Sequence, residues 1–310
     1  MLLILILLQN GCQFWRRTGV SSASTIASRQ YVQQAVDAIQ LENHSEATQK
    51  LALALKANPD NYEARAMYAD TLWENGDVEN GILEMQRVVQ HEDATAEMFL
   101  KLAWMYYETE EWGLAQKYLN QGLQQNSTLA DAWVLQGKIF QKQNDSPRAI
   151  AAFHQAIYYN PEESKAALYL ADEYLLTQRP QRALETIQVA LSKFPPSQEP
   201  VEMLYREGLA MSHLKRHADA VEILTAATEK MAGKQLFSPE DEQKVLLALA
   251  EAQYQAGRYA DAIHTAFRGL EVGPYNQRCA QLVRQIQEKG ITADVQPQIG
   301  GSVAIPTHTP

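Results

Sequence analysis

The residues most capable of chemistry in this chain are few and scattered. His213 and His217 stand four apart in the run HLKRH, a spacing that on one helix can turn two imidazoles toward one metal ion. No third ligand lies nearby, and the run falls where one helical pattern gives way to the next, so the pair reads as an accidental match. Adjacent carboxylates such as Glu110 and Glu111 lie in a polar turn, where they are solvated rather than set up as acid and base. Asn43, Asn126 and Asn144 open N-x-S/T triplets, which matter only in a glycosylating host. The sequence holds no phosphate-cradling Gly-rich loop, no GxSxG, no HExxH and no CxxC. No catalytic residue, metal or cofactor is expected, and the question becomes what the chain binds.

Composition narrows that question. The chain has 310 residues, is 46% apolar and carries a net charge of −10. An acidic surface argues against general nucleic-acid binding, which needs clustered Lys and Arg to neutralise phosphates. Basic partners are compatible with it. The two cysteines, Cys12 and Cys279, lie near opposite ends. Cys279 shares a helical face with Leu282, Val283 and Ile286 and reads as a buried free thiol.

The elements that must position a binding surface are repeated. Small residues fall at Ala47, Gly81, Ala115, Ala149 and Ala183, each 34 residues after the last. Twelve residues before each lies another small one: Ala35, Ala69, Ala103, Gly137 and Ala171. A bulky residue, a small residue and often Pro follow, as in Ala149, Phe153, Ala156 and Pro161. The period then loosens, with Gly208 and Ala220 in a sixth unit and Ala250 and Ala262 in a seventh. Between the small positions lie turn-forming runs such as ENGDVEN and QNDSPR, so each unit reads as two antiparallel helices. Small residues let the two backbones approach, and bulky ones fill the adjoining space.

This unit resembles the tetratricopeptide repeat, a helix pair of 34 residues. The best match starts at Ala130, with Trp133, Gly137, Phe140, Ala149, Phe153, Ala156 and Pro161 in consensus places. The resemblance implies an all-α fold, a right-handed superhelix of about seven helix pairs over 28–274. Units start near 28, 62, 96, 130, 164, 201 and 243. Residues 275–289 are expected to form a capping helix and 290–310 a disordered tail.

The resemblance also implies a binding surface. In such arrays the inner face is lined by the second, fifth, ninth, twelfth and thirteenth places of each first helix. Carried onto this chain, these give Glu63, Asp70, Trp73 and Glu74, then Glu97, Leu100, Trp104, Tyr107 and Glu108. Asp131, Lys138, Asp172, Tyr205 and Tyr254 follow. Aromatic rings among carboxylates suit a protein or peptide carrying apolar anchors and Lys or Arg. The alternative is that Trp104 or Tyr107 packs between helices and the acids are ordinary surface. A clamp for acidic tails is not expected, because the ninth places hold Val36, Asp70, Trp104, Lys138 and Asp172, with no Asn.

The first residues, MLLILILLQNGCQFWRR, open with an apolar run too short to span a bilayer. With Gly11–Cys12 behind it, the segment resembles a bacterial lipoprotein signal, which implies removal of 1–11 and a lipid on Cys12. It departs from that pattern in having no basic residue before the run and in Gln9 and Asn10. Residues 12–27 read as a polar tether. The expectation is a non-catalytic scaffold anchored by Cys12 in a bacterial envelope. The alternative is a cytoplasmic adaptor whose annotated start is wrong. Neither the partner nor the oligomeric state is written in the sequence.

Overall fold

A computed structural model of the chain describes residues 22–162, 164–232, 237–273 and 276–290. Among these residues it contains fifteen α-helices, one short 3₁₀ turn and no strand. The chain divides into two compact units, Met1–Ile139 and Phe140–Pro310. The first holds α1 (Ser22–Gln40), α2 (His44–Ala57), α3 (Tyr62–Glu74), α4 (Val78–Val88), α5 (Ala96–Glu108), α6 (Trp112–Gln125) and most of α7 (Ala130–Lys142). The second holds α8 (Ser146–Tyr159), α9 (Ser164–Leu176), α10 (Pro180–Leu191), α11 (Val201–His213) and α12 (His217–Met231). It ends with α13 (Pro239–Gln255), α14 (Tyr259–Val272) and α15 (Gln277–Glu288).

Local chemistry sets the helix ends. The side chains of Asn43, Asn61 and Asp145 accept hydrogen bonds from the backbone N–H three residues on, satisfying donors that a helix start leaves open. Between the two helices of each pair one residue turns left-handed: Glu42, Gly76, Glu110, Asn144, Gln178, Lys215 and Gly257. The next N–H then bonds back to the helix, as Glu111 N–H does to the Tyr106 carbonyl at 2.8 Å. This closes the helix end with a fixed reversal. Asn58, Asn126 and Asn160 leave their helices with φ of −138°, −142° and −134°, and at Asn58 and Asn160 the following proline also disfavours a return to helical backbone.

The small residues sit at the helix crossings. Ala35, Ala47, Ala69, Ala103, Ala115, Ala149, Ala171 and Ala183 are all fully buried. A Cβ added to Gly81 would lie 3.1 Å from the Ala69 carbonyl oxygen and 3.2 Å from Trp73 N, so the two backbones touch there. Met85, Leu102, Leu119 and Leu135 fill the core of the first unit. Phe153, Leu170, Ile187 and Leu224 fill that of the second, each such side chain contributing about 1.5–3 kcal/mol by leaving water.

One expectation needs correction. Of the polar tether expected over 12–27, residues 22–27 belong to α1; Ser28, the first residue of the expected array, is fully buried with its hydroxyl accepting from Asn61 Nδ2 at 3.3 Å. A Ser/Ala/Thr run is compatible with helix once a neighbouring pair offers a packing face. The HLKRH run does fall where one helix gives way to the next: α11 ends at His213, and Lys215 at φ 62° reverses the chain before α12 begins at His217. The expected processing segment 1–11, residues 12–21 of the tether including Cys12, and residues 291–310 of the tail lie outside the described residues.

Candidate functional site

In the first unit, the places inferred for the inner face separate into four kinds, the rings with Lys138 being the last. Leu100 is buried in the core and offers no binding surface. Gly122 of α6 approaches the first turn of α5 closely, its Cβ position lying 3.0 Å from the Ala96 carbonyl oxygen. Asp70 and Glu74 are engaged by neighbours. Asp70 pairs with Lys101, and Glu74 Oε2 lies 2.9 Å from His44 Nδ1. Burial pushes the Asp70 carboxyl above the ordinary carboxylate range, the Lys101 ammonium only partly opposing it. Glu63, Glu97, Glu108 and Asp131 are exposed, and among the described residues no ion pair holds them. A hydrogen bond from Thr95 lowers the Glu97 carboxyl.

The rings of this unit form one ordered group. Trp104 and Tyr107 meet edge to face, with centroids 5.7 Å apart and planes at 82°. One turn separates them on α5, so both project from the same side of it. Lys138 on α7 places Nζ 4.9 Å from the Trp104 centroid and 5.0 Å from that of Tyr107, within cation–π range of both. Trp73 is half-buried and packs against the same core. The rings are thus neither wholly interior nor a bare patch: they are half-buried, with an ammonium lying over them.

In the second unit, Asp172 is held by Arg206 through two bonds of 2.8 Å. Asp172 and Asp70 both stand at the ninth place of a unit, and Arg206 and Lys101 both at the sixth place of the next. Tyr205 is half-buried, its phenol raised by burial, and lines a cavity of about 180 Å³ with Phe237 and Lys244. Tyr254 meets Tyr259 edge to face at 5.4 Å, with Lys289 Nζ over both rings at 4.8 and 4.6 Å.

Tyr254 also marks a larger feature. α11, α13 and α15 enclose a half-open cavity of about 510 Å³. Its walls include Leu209, Ser212 and His213 on α11, and Glu251, Tyr254 and Gln255 on α13, which are the ninth, twelfth and thirteenth places of the sixth and seventh units. The expected capping helix supplies the third wall through Arg278, Gln281, Leu282 and Gln285, spaced to share one face. So the two histidines of the HLKRH run do meet at a site, as wall residues of this cavity. Among the described residues no group of three or more His, Cys, Asp or Glu is placed to hold a metal ion. Likewise no described helix is long and apolar enough to cross a membrane.

The family model of the tetratricopeptide repeat matches residues 32–97 and 134–198. No curated protein sequence matches the chain. Among solved structures, the C-terminal part of a TPR repeat-containing protein from Cytophaga hutchinsonii superposes with a TM-score of 0.62 at 13% identity, covering 81% of this chain and 98% of that one. The APC/C hetero-tetramer Cut9–Hcn1 gives 0.57 at 16%, covering 80% of this chain but only 46% of the other. YrrB, a TPR protein with an unusual peptide-binding site, gives 0.52 at 14%, covering 64% and 97%. At such identities the likeness shows the fold: an all-α stack of tetratricopeptide-type helix pairs.

Proposed function

We propose that this chain is a non-catalytic scaffold that binds a protein or peptide segment along the inner places of its first helices. The observation that carries the reading is the half-buried Trp104–Tyr107 pair among the exposed carboxylates Glu63, Glu97, Glu108 and Asp131. Aromatic rings fixed by their own packing give contact area at little entropic cost, the usual character of an interface anchor. Because Lys138 already lies over the ring faces, a partner's apolar side chain packs on the remaining ring surface. Its Lys or Arg goes to the carboxylates instead. The repeat architecture supports a binding module rather than an enzyme, and YrrB lends the precedent of a peptide ligand on this fold.

The test is titration of the full chain with basic peptides that carry apolar residues at helical spacing. Trp104→Ala should weaken the tightest of them by about 2 kcal/mol, and binding should fall as salt rises. Equal affinity for the Trp104→Ala protein, at every salt concentration, would sink the reading.

The setting proposed for this scaffold is a bacterial envelope, with residues 1–11 removed and a lipid on Cys12. The support is the apolar run Leu2–Leu8 ahead of Gly11–Cys12. Mass spectrometry of protein extracted from bacterial membranes decides it: a diacylglyceryl adduct on Cys12 is expected. An intact Met1 on soluble protein would favour the cytoplasmic adaptor.

A further inference from the structure

We infer that the groove between α8 and α10 takes an aromatic side chain of a partner protein, presented beside a Lys or Arg. The groove lies within the second compact unit and is separate from the Trp104 wall. Its sides are the second helices of the fourth and fifth helix pairs, whereas the inferred inner face belongs to first helices. Its volume is about 290 Å³, at the foot of the range of ligand cavities, about 300–1,000 Å³. That suits one large side chain rather than a whole segment.

The groove exists because one large side chain of the repeat is missing. The fourth place of each first helix holds Tyr31, Arg65, Phe99, Trp133, Leu204 or Leu246, but in the fifth pair it is Ala167. In the first compact unit this place reaches back over the preceding junction. Trp133 Nε1 donates to the Ser127 carbonyl at 2.8 Å, and Arg65 Nη2 to the Pro59 carbonyl at 2.7 Å. Ala167 is too short to do so and lies on the groove floor with Leu170 and Met203. The corresponding junction carbonyl, that of Pro161, is met instead by Lys193 Nζ from the end of α10. The polar group is thus satisfied while the space stays apolar, walled by Ile157, Val189 and Phe194. Val189 is 66% exposed, so this wall reaches the surface. A partner's ring would fill in trans the space that Phe99 and Trp133 fill within their own repeats.

The rim sets the charge beside that ring. Glu162, its side chain 80% exposed, and the exposed Glu185 stand at the groove with a single cation, Lys193. Lys193 Nζ lies 3.7 Å from Glu162 Oε1 and is also held by the Pro161 carbonyl. Glu185 accepts only from the neutral amide of Gln181, at 3.0 Å, among the described bonds. His154 shares a hydrogen bond of 2.8 Å with the Tyr174 hydroxyl. Burial, with the Arg182 guanidinium nearby, holds its ring below the ordinary histidine range, so it brings no charge at pH 7. One carboxylate therefore exceeds the cations at an otherwise apolar mouth, and a Lys or Arg beside the ring complements it. A ring seated in a pocket with an ion pair at its edge has the make-up of a binding hot spot.

The experiment follows the Met203 methyl on the groove floor by NMR, in the full chain labelled with ¹³C at its methionine methyls. The probes are acetyl-Ala-Lys-Phe-Lys-Ala-amide and the same peptide with Ala for Phe. The Phe peptide should shift the Met203 signal through its ring current and bind there about tenfold more tightly than its counterpart. Ala167→Phe should fill the groove from within, move the Met203 signal without peptide and lose that binding. Glu185→Lys, at an exposed position that leaves the fold intact, should weaken it about tenfold. Trp104→Ala should leave the Met203 response unchanged, so this site and the Trp104 wall stand or fall separately. A Met203 signal that ignores the Phe peptide, an equal response to the Ala peptide, or unaltered binding in Glu185→Lys would overturn the assignment.

Discussion

Replacing Glu110 with Gly should stabilise the chain even though it deletes a side chain. Glu110 holds φ at 63°, where its Cβ crowds the following carbonyl at a cost of about 1–2 kcal/mol. Glycine removes that crowding but adds freedom to the unfolded chain worth about 0.5–1 kcal/mol. The net gain is roughly 0.5–1 kcal/mol. The reversal itself survives, because the Glu110 N–H to Tyr107 carbonyl bond and the Glu111 N–H to Tyr106 carbonyl bond are made by backbone. Thermal unfolding followed by circular dichroism should show a midpoint raised by about 1–4 °C. Glu110→Ala is the control, since it loses the same charge but keeps the strained backbone. The converse substitution sits one repeat earlier. Gly76 has φ 82° and open space around its Cβ position, so Gly76→Ala should cost about 1 kcal/mol for conformation alone. A midpoint for Glu110→Gly no higher than that for Glu110→Ala would refute the strain argument.

Gly208→Ala should destabilise by about 1–3 kcal/mol, because its Cβ would fall 2.5 Å from Cγ of the fully buried Leu224. Leu224→Val in the same chain should recover part of the loss in a urea titration, and strict additivity would place the clash elsewhere. Glu207 is buried and accepts from Gln188 Nε2 at 3.1 Å, and burial raises its carboxyl above the ordinary glutamate value of 4.5. The folded chain then holds that proton more tightly than the unfolded one, so this contribution to stability is lost as pH rises from 4.5 through the folded value. Glu207→Gln should therefore raise the midpoint at pH 7, by up to about 1 kcal/mol, and show no gain below pH 4. The Cys279 thiol is fully buried and pushed up to about 11 by burial. Peptide mapping after iodoacetamide treatment should find it alkylated only in denatured protein.

Much of this architecture is legible in the sequence for a steric reason. Only small residues fit where two helices cross, so Ala69, Ala103, Ala149 and Ala183 announce both the period and the faces that meet. The start of α1 is less legible, since a Ser/Ala/Thr run such as SASTIAS has no strong preference until a partner helix covers it. Leu100 was placed on the inner face by its position alone, but its side chain turns into the core formed with the next helices. The Trp104–Tyr107 pair follows directly from the spacing of three on α5. The cavity of the second unit does not, because it depends on three helices converging, and α15 reads in sequence only as an amphipathic segment. Its four wall residues occupy the polar edge of a helix whose buried edge is Cys279, Leu282, Val283 and Ile286, with Leu282 shared between the two.

In the proposed reading, the ninth and sixth places separate charges that the stack uses for itself from surface left to a partner. Where the ninth place carries an acid and the next sixth place a base, as in Asp70–Lys101 and Asp172–Arg206, the charges serve the stack itself. A partner would have to break an internal pair to use them, which costs part of what it gains. The chain breaks this ladder where the ninth place is Trp104 and the following sixth place is Leu135. It breaks it again at Val36 and Met67, at Lys138 and Tyr169, and at Leu209 and Ala248. At the Trp104 break the structure sets the Trp104–Tyr107 pair beneath Lys138. Surface that the stack does not use for its own cohesion is the surface left for a partner. An acid in place of Trp104 would remove the ring pair without extending the ladder, because Leu135 is fully buried in the core and a base at that place would strand its charge.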